Sequence, residues 1–398
     1  MSEDFSGPEI MLDLALSTSE PRLDLAFGAT RLVVLWHPAD VGYVLADNAA
    51  NYSKETAPTR LFREHVADGL LTAPERRWRA ERLMVNPATR DTPAIERAAR
   101  RHADAVVTEL SVAAEAGEPV DLTATMSAVT SRITMDALFG WDRDEEVEAA
   151  VAAALDSRDI AHRLLPSPKS VAASGVRDRL FEVLTNRIRR QPESDFGPAL
   201  RDMADAGLSL DRMVHQAVTL LFAGSETTAA TLSWTWIELC RNPDRYDRWQ
   251  HELRAGGARA RAASRAVFTE AVRLWPSAWG VGRCAESDDH IGDLPVAAGT
   301  EILISSYLTH RMAEFWPEPE RFDPGRAHPA RRFTYYPFGV GHRMCVGQSF
   351  ALREAEIVLT ALGRRFRFRT EAAVPARPRF EYTLRAPKLP VLITRNPE

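Results

Sequence analysis

The sequence predicts a mainly α protein with small β-sheets, folded as a single domain over residues 1–398. Three observations predict it. Helical periodicity fills most of residues 93–190 and returns over 210–240. The strand-like pieces, such as TRLVVLW at 30–36 and VLITR near the end, are few and short. No internal repeat or low-complexity linker divides the chain.

The elements follow in order. The opening MSEDFSGPEIMLDLALSTSE has no basic region ahead of an apolar run, so it is not a signal peptide. No stretch approaches the roughly 18 consecutive apolar residues of a membrane span. TRLVVLW reads as a strand beside a turn. The alanine- and arginine-rich helices of 93–190 break at RLLPSPKSVAASG, 163–175, which reads as a loop. The helix of 210–240 ends at RNPD, because Pro243 cannot continue it. SRAVFTEAVRLW is helical up to Pro276, and EILISSYL, 301–308, is strand-like. A proline-rich meander, FWPEPERFDPGRAHPARRF, leads into a glycine-rich loop holding Cys345. The helix SFALREAEIVLTALGRRF follows that loop.

Composition narrows the function. Hydrophobic residues make up 45% and charged residues 26%, as in an ordinary globular protein. The net charge of −5 gives no basic field for nucleic acid. Of the 50 basic residues only Lys54, Lys169 and Lys388 are lysine, a codon bias of GC-rich bacterial genomes. Cys240, Cys284 and Cys345 are odd in number and far apart, which argues against a disulfide framework and for a reducing cytoplasm. Cys240 and Cys284 read as packing residues. The expected protein is a cytoplasmic monomer.

Cys345 reads differently. Gly339 and Gly341 allow a tight turn toward a ligand, and Gly347 allows a close approach after the cysteine. The following helix aims its N-terminal N–H groups at the sulfur, a field that lowers a thiol pKa. A lone cysteine cannot complete a zinc site. One thiolate in a rigid loop suits an axial ligand to haem iron.

FGVGHRMCVG, with Phe338, Gly339, Gly341, Arg343, Cys345 and Gly347 in place, resembles the haem-thiolate loop of the cytochrome P450 monooxygenases. The resemblance implies a helical prism enclosing haem b, with Cys345 as the metal ligand. It extends to three further stretches, in family order. LLFAGSETTAATLSW, 220–234, resembles the segment that crosses the haem on its oxygen side. There Thr227 would order water and dioxygen, Glu226 would relay protons, and Ala223 and Gly224 would line the groove. Gly224 costs about 1 kcal/mol against alanine within a helix, and a flat cofactor passing nearby is its expected reason. Glu270-x-x-Arg273 with the PERF of the meander resembles a buried ion network in which Arg321 is the third member. Trp78-x-x-x-Arg82 resembles a helix that gives both groups to a haem propionate. Arg343 and Arg283 match the other propionate partners.

The chemistry implied is that of a haem-thiolate monooxygenase. It uses dioxygen and two electrons from a separate ferredoxin or flavodoxin whose reductase draws on NAD(P)H. An acidic donor would steer to basic residues beside the cysteine loop, among them His342, Arg326, Arg331 and Arg332. The FWPEPERFDPGR and WPSAWG runs resemble the fatty-acid and terpenoid hydroxylase branch. An apolar substrate in bacterial secondary metabolism, terpenoid, lipid or polyketide-like, is therefore expected. Leu61, Phe62, Leu70, Phe222, Trp279 and Val281 are the candidate wall residues. The segment 247–268 is short for the family, and the lid region before residue 210 is compact. An oxidative coupling enzyme acting on an aromatic product, a peroxygenase and a non-catalytic haem sensor remain as alternatives.

Overall fold

The computed structural model describes residues 7–18, 20–27, 30–90, 92–142, 144–156, 174–370 and 377–396. Most of the predicted loop at 163–175 lies outside them. The helices are α1 (Gly7–Ser17), α2 (Pro38–Gly42), α3 (Ala57–His65), α4 (Glu75–Thr89), α5 (Pro93–Ala116), α6 (Leu122–Phe139) and α7 (Glu145–Asp156). They continue with α8 (Ser174–Arg190), α9 (Pro198–Asp205), α10 (Leu210–Arg241), α11 (Pro243–Arg254), α12 (Gly257–Leu274), α13 (Ser306–Thr309) and α14 (Gln348–Arg365). No helix among the described residues is long and apolar enough to cross a membrane.

The strands form a minor layer. β1 (Arg22–Phe27), β2 (Thr30–Leu35), β3 (Tyr52–Ser53), β5 (Val281–Ala285) and β8 (Glu301–Ile304) make one sheet in the order β1-β2-β8-β5-β3. The β2–β8 pair is parallel, with Leu32 opposite Glu301 and Leu35 opposite Ile304. β4 (Val120–Asp121), β9 (Phe366–Arg369) and β12 (Pro390–Arg395) form a second sheet, with β12 central. Two hairpins, β6 (Asp289–Ile291) with β7 (Leu294–Val296) and β10 (Arg379–Phe380) with β11 (Leu384–Arg385), complete the set.

Several boundaries have visible causes. α10 starts at Ser209, whose hydroxyl accepts from the Arg212 N–H. It ends at Asn242, ahead of Pro243, which opens α11 instead of merely stopping its predecessor. α11 and α12 are separated only by Ala255 and Gly256, which accounts for the shortness of 247–268. The expected strand at 301–308 is half right. Ser305 turns the chain, its hydroxyl capping α13 at the Leu308 N–H, so only Glu301–Ile304 is extended.

α10 is the central helix. It packs against α6, α8 and α12, and nearly every residue from Gln216 to Leu239 is buried. Trp234 stacks on Trp275 at 4.1 Å, and Trp236 meets Phe368 edge-on at 4.8 Å. α14 packs on α5 and α12 and also touches α10. The cysteine loop therefore enters the body of the molecule where α14 begins.

Candidate active site

The cysteine loop is built by two left-handed glycines. Gly339 has φ +71° and Gly341 φ +74°, a region that costs side-chain-bearing residues strain. A Cβ on Gly341 would also lie 2.0 Å from the Leu45 carbonyl oxygen, so only glycine fits there. The Cys345 N–H donates to Phe338 O at 2.8 Å and closes the loop. Gly347 caps α14, and protein contacts leave open space where its Cβ would be.

The Cys345 side chain keeps accessible surface, yet protein surrounds it closely. Burial pushes its thiol pKa up, outweighing the lowering by the Gly347 N–H and by Arg82. The net direction is opposite to the lowering expected from the helix N-terminus alone. The proton must leave as a metal binds.

Across from the loop, α10 has an uneven surface. Between Gln216 and Leu239 only Phe222, Ala223, Gly224 and Thr227 are half-buried and the rest are buried. A helix in the middle of the core showing surface at four clustered residues borders internal space. Thr227 Oγ1 donates to Ala223 O at 2.8 Å, and Ser277 Oγ grips the Thr227 carbonyl at 2.6 Å. Gly224 has a structural reason beside the expected one. Its Cβ would meet Thr134 Cγ2 on α6 at 3.1 Å, so the glycine serves the α6–α10 crossing.

Glu226 does not stand free on this surface. Its Oε1 accepts from Arg385 Nε at 2.7 Å and Thr383 Oγ1 at 3.0 Å, both from the β10–β11 hairpin. The same turn presents Tyr382, which packs on Phe62 at 4.8 Å and Phe222 at 5.5 Å. Phe62 and Phe222 meet at 5.3 Å. Trp279 donates to Glu381 O at 2.9 Å and packs on Phe380. Of the expected wall residues, Phe62, Phe222 and Trp279 thus converge on one hairpin. Val281 is half-buried on β5. Leu61 is half-buried on α3, and Leu70 is buried with its N–H on Gln216 of α10.

A cationic cluster lies beside the loop. Trp78 is packed between two guanidiniums, Arg343 at 4.2 Å and Arg82 at 5.5 Å from its ring centre. Arg82 donates to Met344 O at 2.6 Å. Arg343 bonds Glu75 at 2.9 Å and Ala73 O at 3.1 Å, while its buried Nη1 has no partner. Arg283, on the same strand face as Val281, is buried and bonds only its neighbour's carbonyl. Burial and Arg343 bring its pKa down to about 10. Lys54, which sequence reading passed over, joins them. Its Nζ donates to Leu71 O at 2.7 Å, and burial beside Arg283, Arg343 and Arg63 brings its pKa down to about 7. Its one available signal was rarity, a lysine in a chain that uses arginine almost everywhere else.

The ion network needs one correction. Arg273 and Glu270 are fully buried and doubly bonded at 2.8 Å. The second arginine on Glu270 is Arg326, at 3.2 Å, and not Arg321. Arg326 also donates to the carbonyls of Pro317, Glu318 and Arg321, tying the meander into a knot. The Arg321 side chain is 49% exposed and pairs with Glu318. The reason is local: Phe322 is buried, so its chain neighbour Arg321 faces outward. The i→i+3 turn at Asp323 then brings Arg326 back. The signal was present as a second Pro-x-Arg, Pro324–Arg326, directly after the first. His310 adds a fourth tie. Its Nδ1 meets Arg273 O at 3.2 Å, and its Nε2 accepts the Tyr336 N–H at 3.0 Å. Burial and Arg273 hold its pKa well below that of an ordinary histidine.

Cys240 and Cys284 behave as packing residues. Burial pushes both thiols up, Cys240 to about 12.

Three features fit a haem. One thiol lies in a glycine-built loop, an internal helix borders open space, and buried cations are in excess of nearby carboxylates. The comparisons agree. The family model described as cytochrome P450 matches residues 15–167 and 174–393. Cyclooctatin synthase of Streptomyces melanosporofaciens is 30% identical, over 92% of this chain and 86% of that protein. Cyclooctat-9-en-7-ol 5-monooxygenase of the same organism is 29% identical, over 87% and 82%. A crystal structure of a six-coordinated cytochrome P450 from Thermus thermophilus superposes with a TM-score of 0.76. It is 30% identical and covers 96% of this chain and 97% of that one. The chain belongs to the cytochrome P450 family and is a monooxygenase of that family.

Proposed function

We propose that this monooxygenase oxidises an apolar, terpenoid-like small molecule with electrons from a separate ferredoxin or flavodoxin, and that residues 1–398 act as one haem domain. The observation that carries the reading is the aromatic wall of Phe62, Phe222 and Tyr382, built on the same hairpin that holds the Glu226–Arg385 pair. Streptomyces relatives named for cyclooctatin and cyclooctat-9-en-7-ol support an apolar, ring-bearing substrate.

Bound haem activates dioxygen by drawing on electron density from a cysteine thiolate. The rest is the protein's contribution. Cys345 is the ligand. Arg82, Arg283, Arg343 and Lys54 hold the propionates, with Trp78 fixing two of the guanidiniums. Ala223 and Gly224 leave room along α10. Glu226 and Thr227 move protons, the carboxylate kept in place by Arg385 and Thr383. Ordinary apolar burial by Phe62, Phe222, Trp279 and Val281 excludes water from the reacting carbon.

The electron donor meets the outer side of the loop. Arg76, Arg79 and Leu83 project from one exposed face of α4, spaced three and four apart. Leu83 is 76% exposed and Met344 in the loop 38%. Exposed apolar side chains together with arginines on this side of the protein suit an acidic protein partner.

The reading is tested by a carbon monoxide difference spectrum of the reduced protein, followed by turnover with a surrogate ferredoxin, its reductase and NADPH. A strongly red-shifted Soret band and products heavier by one oxygen are expected. An ordinary haem band overturns the thiolate assignment. Products lighter by two hydrogens, with no oxygen gained, identify a coupling enzyme instead.

Two variants probe the roles. Thr227→Ala loses only an i−4 bond to Ala223 O, so α10 stays folded. NADPH oxidation should continue while product per NADPH falls several-fold and peroxide rises; unchanged coupling removes Thr227 from proton delivery. Lys54→Met should act with opposite signs on two states. Without haem, the folded pKa of Lys54 lies near 7, below the 10.5 of the free side chain. Between those values the unfolded chain holds a proton that the folded chain lacks. Stability of the haem-free protein therefore rises with pH across that window. Lys54→Met should abolish this rise in chemical denaturation and stabilise the haem-free protein near pH 7. It should weaken hemin binding by about tenfold, the worth of one charge-assisted bond.

A further inference from the structure

The aromatic wall contains a phenol whose ring is packed and whose hydroxyl is not used. Tyr382 closes the three-ring cluster with Phe62 and Phe222. Its hydroxyl makes no hydrogen bond to any described residue, and burial is what pushes the phenol pKa upward. Tyr382 as a residue is half-buried and packs against the main core, so it stands at the core's edge.

The turn that carries it is rigid. Thr383 and Arg385 are fixed on Glu226 at 3.0 and 2.7 Å. The Glu381 N–H bonds the carbonyls of Arg379 and Thr383, both at 3.1 Å, and the Glu381 carbonyl accepts from Trp279. The backbone on the C-terminal side of Tyr382 is thus held by the ion pair that fixes the acid. Its neighbours offer no competing donor. The two rings it packs on, Phe62 and Phe222, carry none, and the nearby Thr383 hydroxyl and Arg385 Nε are committed to Glu226. A donor held without a partner in an apolar wall is unfavourable unless the ligand satisfies it.

We propose that Tyr382 is a specificity residue whose hydroxyl bonds an oxygen on an otherwise apolar substrate, so that the enzyme favours an alcohol or ketone over the parent hydrocarbon. The inference rests on the monooxygenase reading and deepens it. The substrate then comes from a reaction that has already placed an oxygen on the skeleton, a prior hydroxylation or a water-terminated cyclisation. This protein adds a second oxidation at a carbon set by the distance from that anchor.

Tyr382→Phe isolates the hydroxyl, because the three-ring packing survives. The probes are matched pairs of cyclic terpene hydrocarbon and mono-alcohol, of monoterpene, sesquiterpene and diterpene size. Dissociation constants come from Soret titration of the holoenzyme. Wild type should bind the alcohol of the best-fitting pair about tenfold tighter than its hydrocarbon, and Tyr382→Phe should erase that preference while leaving the hydrocarbon within about twofold. An equal preference in both proteins overturns the proposal, as does a wild type that favours the hydrocarbon or binds neither member of any pair. The reduced carbon monoxide band, recorded on the same samples, separates the two levels. A red-shifted band with an unaltered preference defeats only the role of Tyr382, whereas an ordinary band defeats the haem-thiolate reading beneath it.

Discussion

Cys345→Ser is expected to abolish the red-shifted Soret band of the reduced carbon monoxide complex and to reduce product formation to the background of free haem. The loop should survive the change. Its geometry comes from the left-handed Gly339 and Gly341 and from the Cys345 N–H on Phe338 O, none of which uses the sulfur. The stability loss should therefore stay within about 1 kcal/mol. What changes is the donor. A buried serine hydroxyl has far less tendency than a thiol to lose its proton, and burial here already pushes even the thiol pKa up. An oxygen ligand also lacks the electron push that a thiolate supplies. A Cys345→Ser protein that keeps the red-shifted band and its turnover would show that another residue ligates the metal. No second described cysteine stands in reserve, because Cys240 bonds Phe368 O at 3.8 Å and Cys284 lies in β5.

Arg326→Ala should destabilise the protein by about 3–5 kcal/mol and lower haem retention, while Arg321→Ala should change stability by less than about 1 kcal/mol. Arg326 sits with a nearly buried side chain on the Glu270 carboxylate. Removing it strands part of a buried charge and frees the carbonyls of Pro317, Glu318 and Arg321 together. Arg321 lies at the surface and pairs with Glu318, itself exposed. Arg326→Lys keeps the charge but not the planar fork, and should recover less than half of the loss. Denaturation of the four proteins side by side decides the point. A larger loss from Arg321→Ala would restore the assignment that the PERF spelling suggests.

The two arginines illustrate where sequence reading stops. Motif spelling placed an arginine five residues early, since both candidates follow a proline and lie in the same meander. Burial of Phe322 and the turn at Asp323 decide between them, and neither is encoded in spacing. Gly224 shows the same limit. Its small size was legible and its packing against α6 was not, because Thr134 is distant in sequence and reaches it only through the α6–α10 crossing.

By itself, the sequence determined the mainly helical class, the long central helix and its stop at Pro243. It also determined the glycine-built cysteine loop and the Glu270–Arg273 and Trp78–Arg82 pairs. These features are local: helical periodicity, proline's missing donor, left-handed glycine and neighbours three or four apart are all written within a few residues. The tertiary structure decided the rest. It gathered Lys54, Arg82, Arg283 and Arg343 into one cationic wall, pinned Glu226 to Arg385, set Tyr382 against Phe62 and Phe222, and chose Arg326 over Arg321. Most of those contacts join residues far apart in sequence, 159 positions for Glu226 and Arg385. They exist only because apolar burial brings the hairpin, the strands and the central helix together, and one sequence shows each member without showing the meeting.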